Sequence, residues 1–191
     1  MRIIIFFLLL GTSVLAQITT PKIGQFPSLR VQPTVGARER NLQDGSEFRK
    51  TMQITPKLVV EGGSKMLPIP AAEATMVVVS MDTRAKYVEG KEVYKVTSAQ
   101  TMSLPAARNG DRREFTFAET SLTFDGDRDS SNLGGEVYKF FICGIRDPAT
   151  RTLILFHTPN SQLDNFCKTH PDKRDEFLQM QKGSIFPAAF K

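Results

Sequence analysis

Residues 136–158, EVYKFFICGIRDPATRTLILFHT, constrain the fold more than any other stretch. Two runs rich in aromatic and β-branched residues flank Asp147-Pro148-Ala149-Thr150. Proline at the second turn position presets φ near its type I value, and an Asp at the first can accept from the turn backbone. The pattern predicts a β-hairpin. Within it, Cys143 shares strand parity with Phe141 and Ile145, which places all three on one buried face.

The rest of the chain between residues 47 and 167 extends this β character. In FRKTMQITPKLVV, Met52, Ile54, Leu58 and Val60 keep a period of two, so they share one face of a strand. Pro56 interrupts that run and cannot donate to a ladder, which predicts a sheet edge or a bend. ATMVVVSM, residues 74–81, is apolar on both faces and is expected to be the most buried strand. Phe115 and Phe117 hold one parity and Leu122 and Phe124 the other, so a bulge or bend is expected near Glu119. Short strands with turn signals every ten or so residues predict a mainly β fold, an antiparallel β-sandwich of the immunoglobulin-like type. At the C-terminus, THPDKRDEFLQMQKG has a capping Thr169 or His170, a first-turn Pro171 and a terminating Gly183, which predicts one short helix lying on the sandwich.

The N-terminal MRIIIFFLLLGTSVLA combines Arg2, the apolar run Ile3 to Leu10 and small residues before Gln17. That is the pattern of a secretory signal peptide, and the run is shorter than the roughly 20 residues a membrane span needs. Residues 1–16 are therefore expected to be removed on export, leaving no transmembrane span. Residues 17–46 carry three prolines, three glycines and no sustained period, and are expected to form a flexible leader. The organisation expected is thus signal peptide 1–16, leader 17–46, β-sandwich 47–167, and C-terminal helix and tail 168–191.

The stretch GGEVYKFFICGIRDPATRTLIL resembles a segment recurring in uncharacterised exported bacterial proteins with immunoglobulin-like or fibronectin III-like sandwiches. The resemblance implies a periplasmic or extracellular location and a role in adhesion, spacing or envelope assembly without chemistry of its own. The chain contains no Trp, so it departs from antibody-type domains, which pack a core Trp beside their disulfide.

Candidate chemistry is sparse. DGDRDSSNLGGE, residues 125–136, sets Asp125, Asp127, Asp129 and Glu136 in the ligand register of an EF-hand loop. Ser130 replaces the loop glycine, and the flanks read as strands rather than helices, so an inter-strand loop without metal is expected. His157 and His170 have no Cys or His at metal-ligand spacing. No nucleophile elbow, phosphate loop or dinucleotide fingerprint occurs in the mature chain, and no cofactor is expected. Glu114, Glu119 and Asp125 lie along one run, and a paired-carboxylate glycosidase would need two such groups facing each other across a cleft. The net charge of +5 comes from scattered basic residues without interleaved aromatics, which argues against nucleic-acid binding. A non-enzymatic envelope module with a protein or glycan partner is the function expected, the alternative being a carbohydrate-binding or carbohydrate-acting protein. In an oxidising compartment two cysteines allow one intramolecular pairing, so a Cys143–Cys167 disulfide closing a loop of about 25 residues is expected.

Overall fold

The computed structural model describes residues 29–41, 49–62, 70–106, 108, 110–125, 134–188 and 190. Residues 1–16, expected to be a signal peptide, lie outside them. Along the chain run β1 (Leu29–Asn41), β2 (Arg49–Gly62), β3 (Ala72–Asp82), α1 (Thr83–Tyr87), β4 (Tyr94–Leu104), β5 (Arg112–Thr116) and β6 (Thr120–Asp125). There follow β7 (Glu136–Arg146), β8 (Leu153–His157), α2 (Ser161–Thr169), α3 (Asp172–Leu178) and β9 (Ile185–Phe186). The fold is mainly β and its strand pairs are antiparallel. One sheet has the order β1-β2-β5, with β6 also on β2, and the other has the order β8-β7-β3-β4-β9.

Strand β3 is buried from Ala74 to Met81, as its two-faced apolar sequence predicts. Its alternate residues serve two cores. Met76 and Val78 join Ile54, Leu58, Leu122 and Phe141 between the sheets. Val77 and Val79 join Tyr94, Phe140, Leu163, Phe177 and Phe186 on the opposite face, beneath α2, α3 and the C-terminal segment. The predicted hairpin is β7-β8, closed by Asp147 N–H donating to Thr152 O at 3.0 Å. Asp147 also accepts from Ala149 N–H at 2.8 Å, the turn bond its position calls for.

Several expectations are corrected. Residues 29–41, inside the expected leader, form β1, which pairs with β2 from Leu29↔Gly62 to Asn41↔Lys50. From Ala37 to Arg40 it is solvent-exposed, so burial imposes no apolar alternation there; the ladder holds it. The rest of residues 17–46 lies outside the described residues. β2, expected at an edge or bent because of Pro56, is central in its sheet. Pro56 O accepts from Phe117 N–H at 2.9 Å, so the proline's backbone polar groups face the side where β5 ends and β6 has not begun. A missing N–H costs nothing at a break in the ladder. That break, residues 117–119, is also the phase change expected near Glu119.

In place of one helix the described residues contain three. α3 covers the predicted C-terminal site, with Pro171 just before it, but ends at Leu178 rather than near Gly183. α2 precedes it, capped by Asn160, whose side chain accepts from the Gln162 and Leu163 amides. The five-residue α1 is capped by Asp82.

Candidate binding cleft

A cleft of about 360 Å³ opens between β4, β6, the start of β7 and the Lys182–Gly183 turn. Gly135 lets β6 come close to β7. It sits at φ +102°, where side-chain-bearing residues are strained, and a Cβ there would lie 2.1 Å from Thr123 O. Phe124 and Gly135 form a bridge, and Asp125 N–H donates to Gly134 O at 3.0 Å. The far lip is fixed by β4, where Gly183 N–H donates to Val96 O at 2.8 Å and Val96 N–H to Ser184 O at 2.9 Å.

At one wall, Lys95 Nζ donates to Glu136 Oε1 at 2.8 Å and Ser80 Oγ to Glu136 Oε2 at 2.6 Å. The hydrogen bond and charge of Glu136 raise the pKa of Lys95. Thr97 lies beside it. Val78 pairs with Ser98 and Val79 with Val96, so Thr97 is the extra residue of a β-bulge. It is 6% exposed, and its hydroxyl has no hydrogen-bond partner among the described residues. Ser121 and Thr123 add hydroxyls from β6, and Lys182 adds an amine from the turn. None of the described lining residues is aromatic. The site offers donors, acceptors and positive charge.

The residues singled out in the sequence lie mostly elsewhere. Glu136, the closing ligand of the calcium register, is on β7 and committed to Lys95 and Ser80. Asp125 ends β6, while Asp127 and Asp129 lie outside the described residues, so the structure brings only the ends of that loop together. Among the described residues no three His, Cys, Asp or Glu side chains cluster in a manner able to hold a metal. Glu114 accepts from Lys57 Nζ at 2.7 Å, which lowers its pKa, and Glu119 accepts from Thr55 Oγ1 at 3.2 Å. Each of these two carboxylates has its own hydrogen-bond partner. His157 ends β8 tilted against the Phe141 ring, its pKa lowered by burial. His170 stacks on Phe166, with ring centroids 4.4 Å apart.

The disulfide expectation is corrected: Cys143 and Cys167 are both free and both buried. Cys143 does face the core between the sheets with Phe141 and Ile145. Cys167, however, lies on α2 in the other core. A bond between them would have to pass through the five-stranded sheet. Burial pushes the Cys143 thiol up to about 12 and the Cys167 thiol to about 11.

Of the candidate site residues singled out in the sequence only Glu136 lies on the cleft, whose walls come from residues 95–97, 120–123, 135–136 and 182–183, far apart along the chain. The unpaired Thr97 hydroxyl follows from a bulge that no local motif announces.

No family model and no curated protein matches the chain. Solved structures with a distant likeness include a crystal structure from Akkermansia muciniphila, 11% identical over 70% of this chain and 72% of that one at a TM-score of 0.30. Another is the X-ray structure of Northeast Structural Genomics Consortium target SoR45, 8% identical over 69% of this chain and 85% of that one at a TM-score of 0.28. Neither likeness assigns a family or a function.

Proposed function

We propose that this chain is an exported, non-catalytic binding module of the cell envelope, an immunoglobulin-like β-sandwich that holds its partner in the cleft beside Thr97. The observation that carries this is the open polar cleft itself: hydroxyls, a paired Lys95–Glu136 and the Lys182 amine surround it. A few placed polar groups in a concavity fix a ligand's orientation. Of the three carboxylates weighed as a hydrolytic pair, Glu114 and Glu119 accept from Lys57 and Thr55, which supports binding over hydrolysis. The two antiparallel sheets support the sandwich, and the signal-like residues 1–16 support export to the periplasm or beyond.

A carbohydrate partner has less support. Sugar sites commonly stack a ring on an exposed aromatic, and the described lining has none. The test is site-specific photocrosslinking in the native cells, with the photoreactive residue at Ser121 in the cleft or at Glu176 on α3 as control. Adducts from position 121 and none from 176, on a protein lacking residues 1–16 outside the cytoplasm, are expected. A cytoplasmic protein, or position 121 giving no adduct, would refute the proposal.

A further inference from the structure

We propose that the seam between β4 and β6 receives an extended polypeptide strand carrying an acidic side chain; this rests on the cleft being a binding site. Two strand edges face each other across the seam without pairing. β6 spends one edge on β2, and its other edge bonds to described residues only near its end, through the Phe124–Gly135 bridge and Asp125. β4 spends one edge on β3. Its other edge is held by β9 at Tyr94 and Lys95 and by the bonds of Val96 to Gly183 and Ser184. From Thr97 to Leu104 no backbone hydrogen bond to another described backbone leaves that edge. Consecutive residues of both strands, 95–97 and 120–123, line the cleft, so main chain as well as side chains borders it. Unpaired edges of this kind are templates for another strand.

The seam already holds a stand-in for such a strand. Next to the cleft, Gln100 Nε2 donates to Ala118 O at 2.9 Å and Ala118 N–H donates to Gln100 Oε1 at 2.8 Å. A residue in an antiparallel ladder exchanges this same pair of bonds with its opposite number. The Gln100 carboxamide therefore occupies one rung as a peptide group would, and the cleft continues past it without one. Strand addition would supply the missing rungs, with main-chain bonds giving affinity and alternate side chains giving specificity. Charge selects an acidic residue. Glu136 neutralises Lys95, whereas Lys182 has no ionic partner among the described residues, so the lip is left positive.

The experiment selects phage-displayed linear heptapeptides on the exported protein, synthesises the enriched sequences, and follows the backbone amide NMR signals of Thr97, Ser121 and Thr123. Expected are micromolar binders carrying Asp or Glu that shift these amides. N-methylation at every second peptide position should weaken binding about tenfold or more, the loss of roughly one hydrogen bond, with little effect in between. Lys182→Gln, at an exposed position that leaves the fold intact, should weaken binding several-fold and flatten its salt dependence. Binding indifferent to N-methylation, or to Lys182→Gln, would overturn the proposal. Oligosaccharides shifting these amides where no peptide does would overturn the strand and keep the binding site. If neither class of ligand shifts them, both fall.

Discussion

Arg151 is the only non-glycine with positive φ among the described residues, at +59°, following the Asp147–Thr150 turn. A side chain in the left-handed region costs about 1–2 kcal/mol, and glycine avoids that cost. Here the side chain returns something, for Arg151 Nη1 donates to Glu73 Oε1 at 2.7 Å and the Arg151 carbonyl accepts from buried Arg146. The ion pair is exposed on the Arg side and contributes at most about 1 kcal/mol. Ala and Gly both lose it, but only Ala keeps the strain. Arg151→Gly should therefore be more stable than Arg151→Ala by about 1 kcal/mol in denaturant midpoints; equal midpoints would show that the turn carries no strain. The cysteines give a second test at this scale. Folding holds the Cys143 thiol well above its ordinary value of 9.0, at about 12, so the folded state disfavours the thiolate. Stability from this source is intact below pH 9.0 and falls as pH rises toward about 12, because the unfolded chain loses the proton first. Native protein at pH 8 should react slowly with a thiol reagent, and the denatured protein should show two free thiols without reductant. A count of zero in denaturant would restore the disulfide.

At the scale of elements, Gly135 is the residue that couples the sheets. Its missing Cβ leaves room for Thr123 O and for the Phe124 Cα, both backbone atoms that cannot rotate away. Gly135→Ala adds both a left-handed strain and a backbone clash, so a loss of more than about 2 kcal/mol is expected, with faster hydrogen exchange at Asp125. A loss below about 0.5 kcal/mol, inside the range of ordinary surface substitutions, would mean that β6 and β7 part easily. Elements whose cause is local were legible in the sequence. The β7-β8 hairpin was written in Asp147-Pro148, and β3 in its unbroken Val run. β1 was not, because its exposed residues and Pro33 look like a linker; a ladder with a strand some twenty residues away makes it regular. α2 had a signal that went unread, Asn160 ahead of Leu163, Phe166 and Cys167 at helical spacing. The cleft could not be read, since it arises from where two sheets stop pairing. The central place of β2 was hidden for a related reason: the ladder breaks opposite Pro56, which only the partner strands reveal.

For the whole molecule, the question is whether two cores make two folding units. β3 and β7 lie between them and feed both: Met76 and Val78 face one core and Val77 and Val79 the other, while Phe141 and Cys143 alternate with Phe140 and Ile142 in the same way. A shared sheet cannot lose one face and keep the other well packed, since both sets of side chains hang from the same backbone. Polar contacts tie the helical layer to that sheet as well. Arg146 is buried at the end of β7 and donates to the Asp175 carboxylate of α3, and the Gly144 backbone packs against Leu178 so closely that a Cβ would reach 2.4 Å from its Cδ1. Removing the acid would leave a buried guanidinium with one partner fewer, which costs more than an exposed pair is worth. Unfolding is therefore expected to be a single transition. Met76→Ala, in the core between the sheets, and Phe177→Ala, beneath the helices, should each cost about 2–5 kcal/mol. Both should leave one calorimetric peak whose enthalpy equals the van't Hoff value. If Phe177→Ala instead splits the transition, with a first step that removes helical signal while Tyr94 and the strands stay protected, the helical layer is a separate unit and the sheet stands without it.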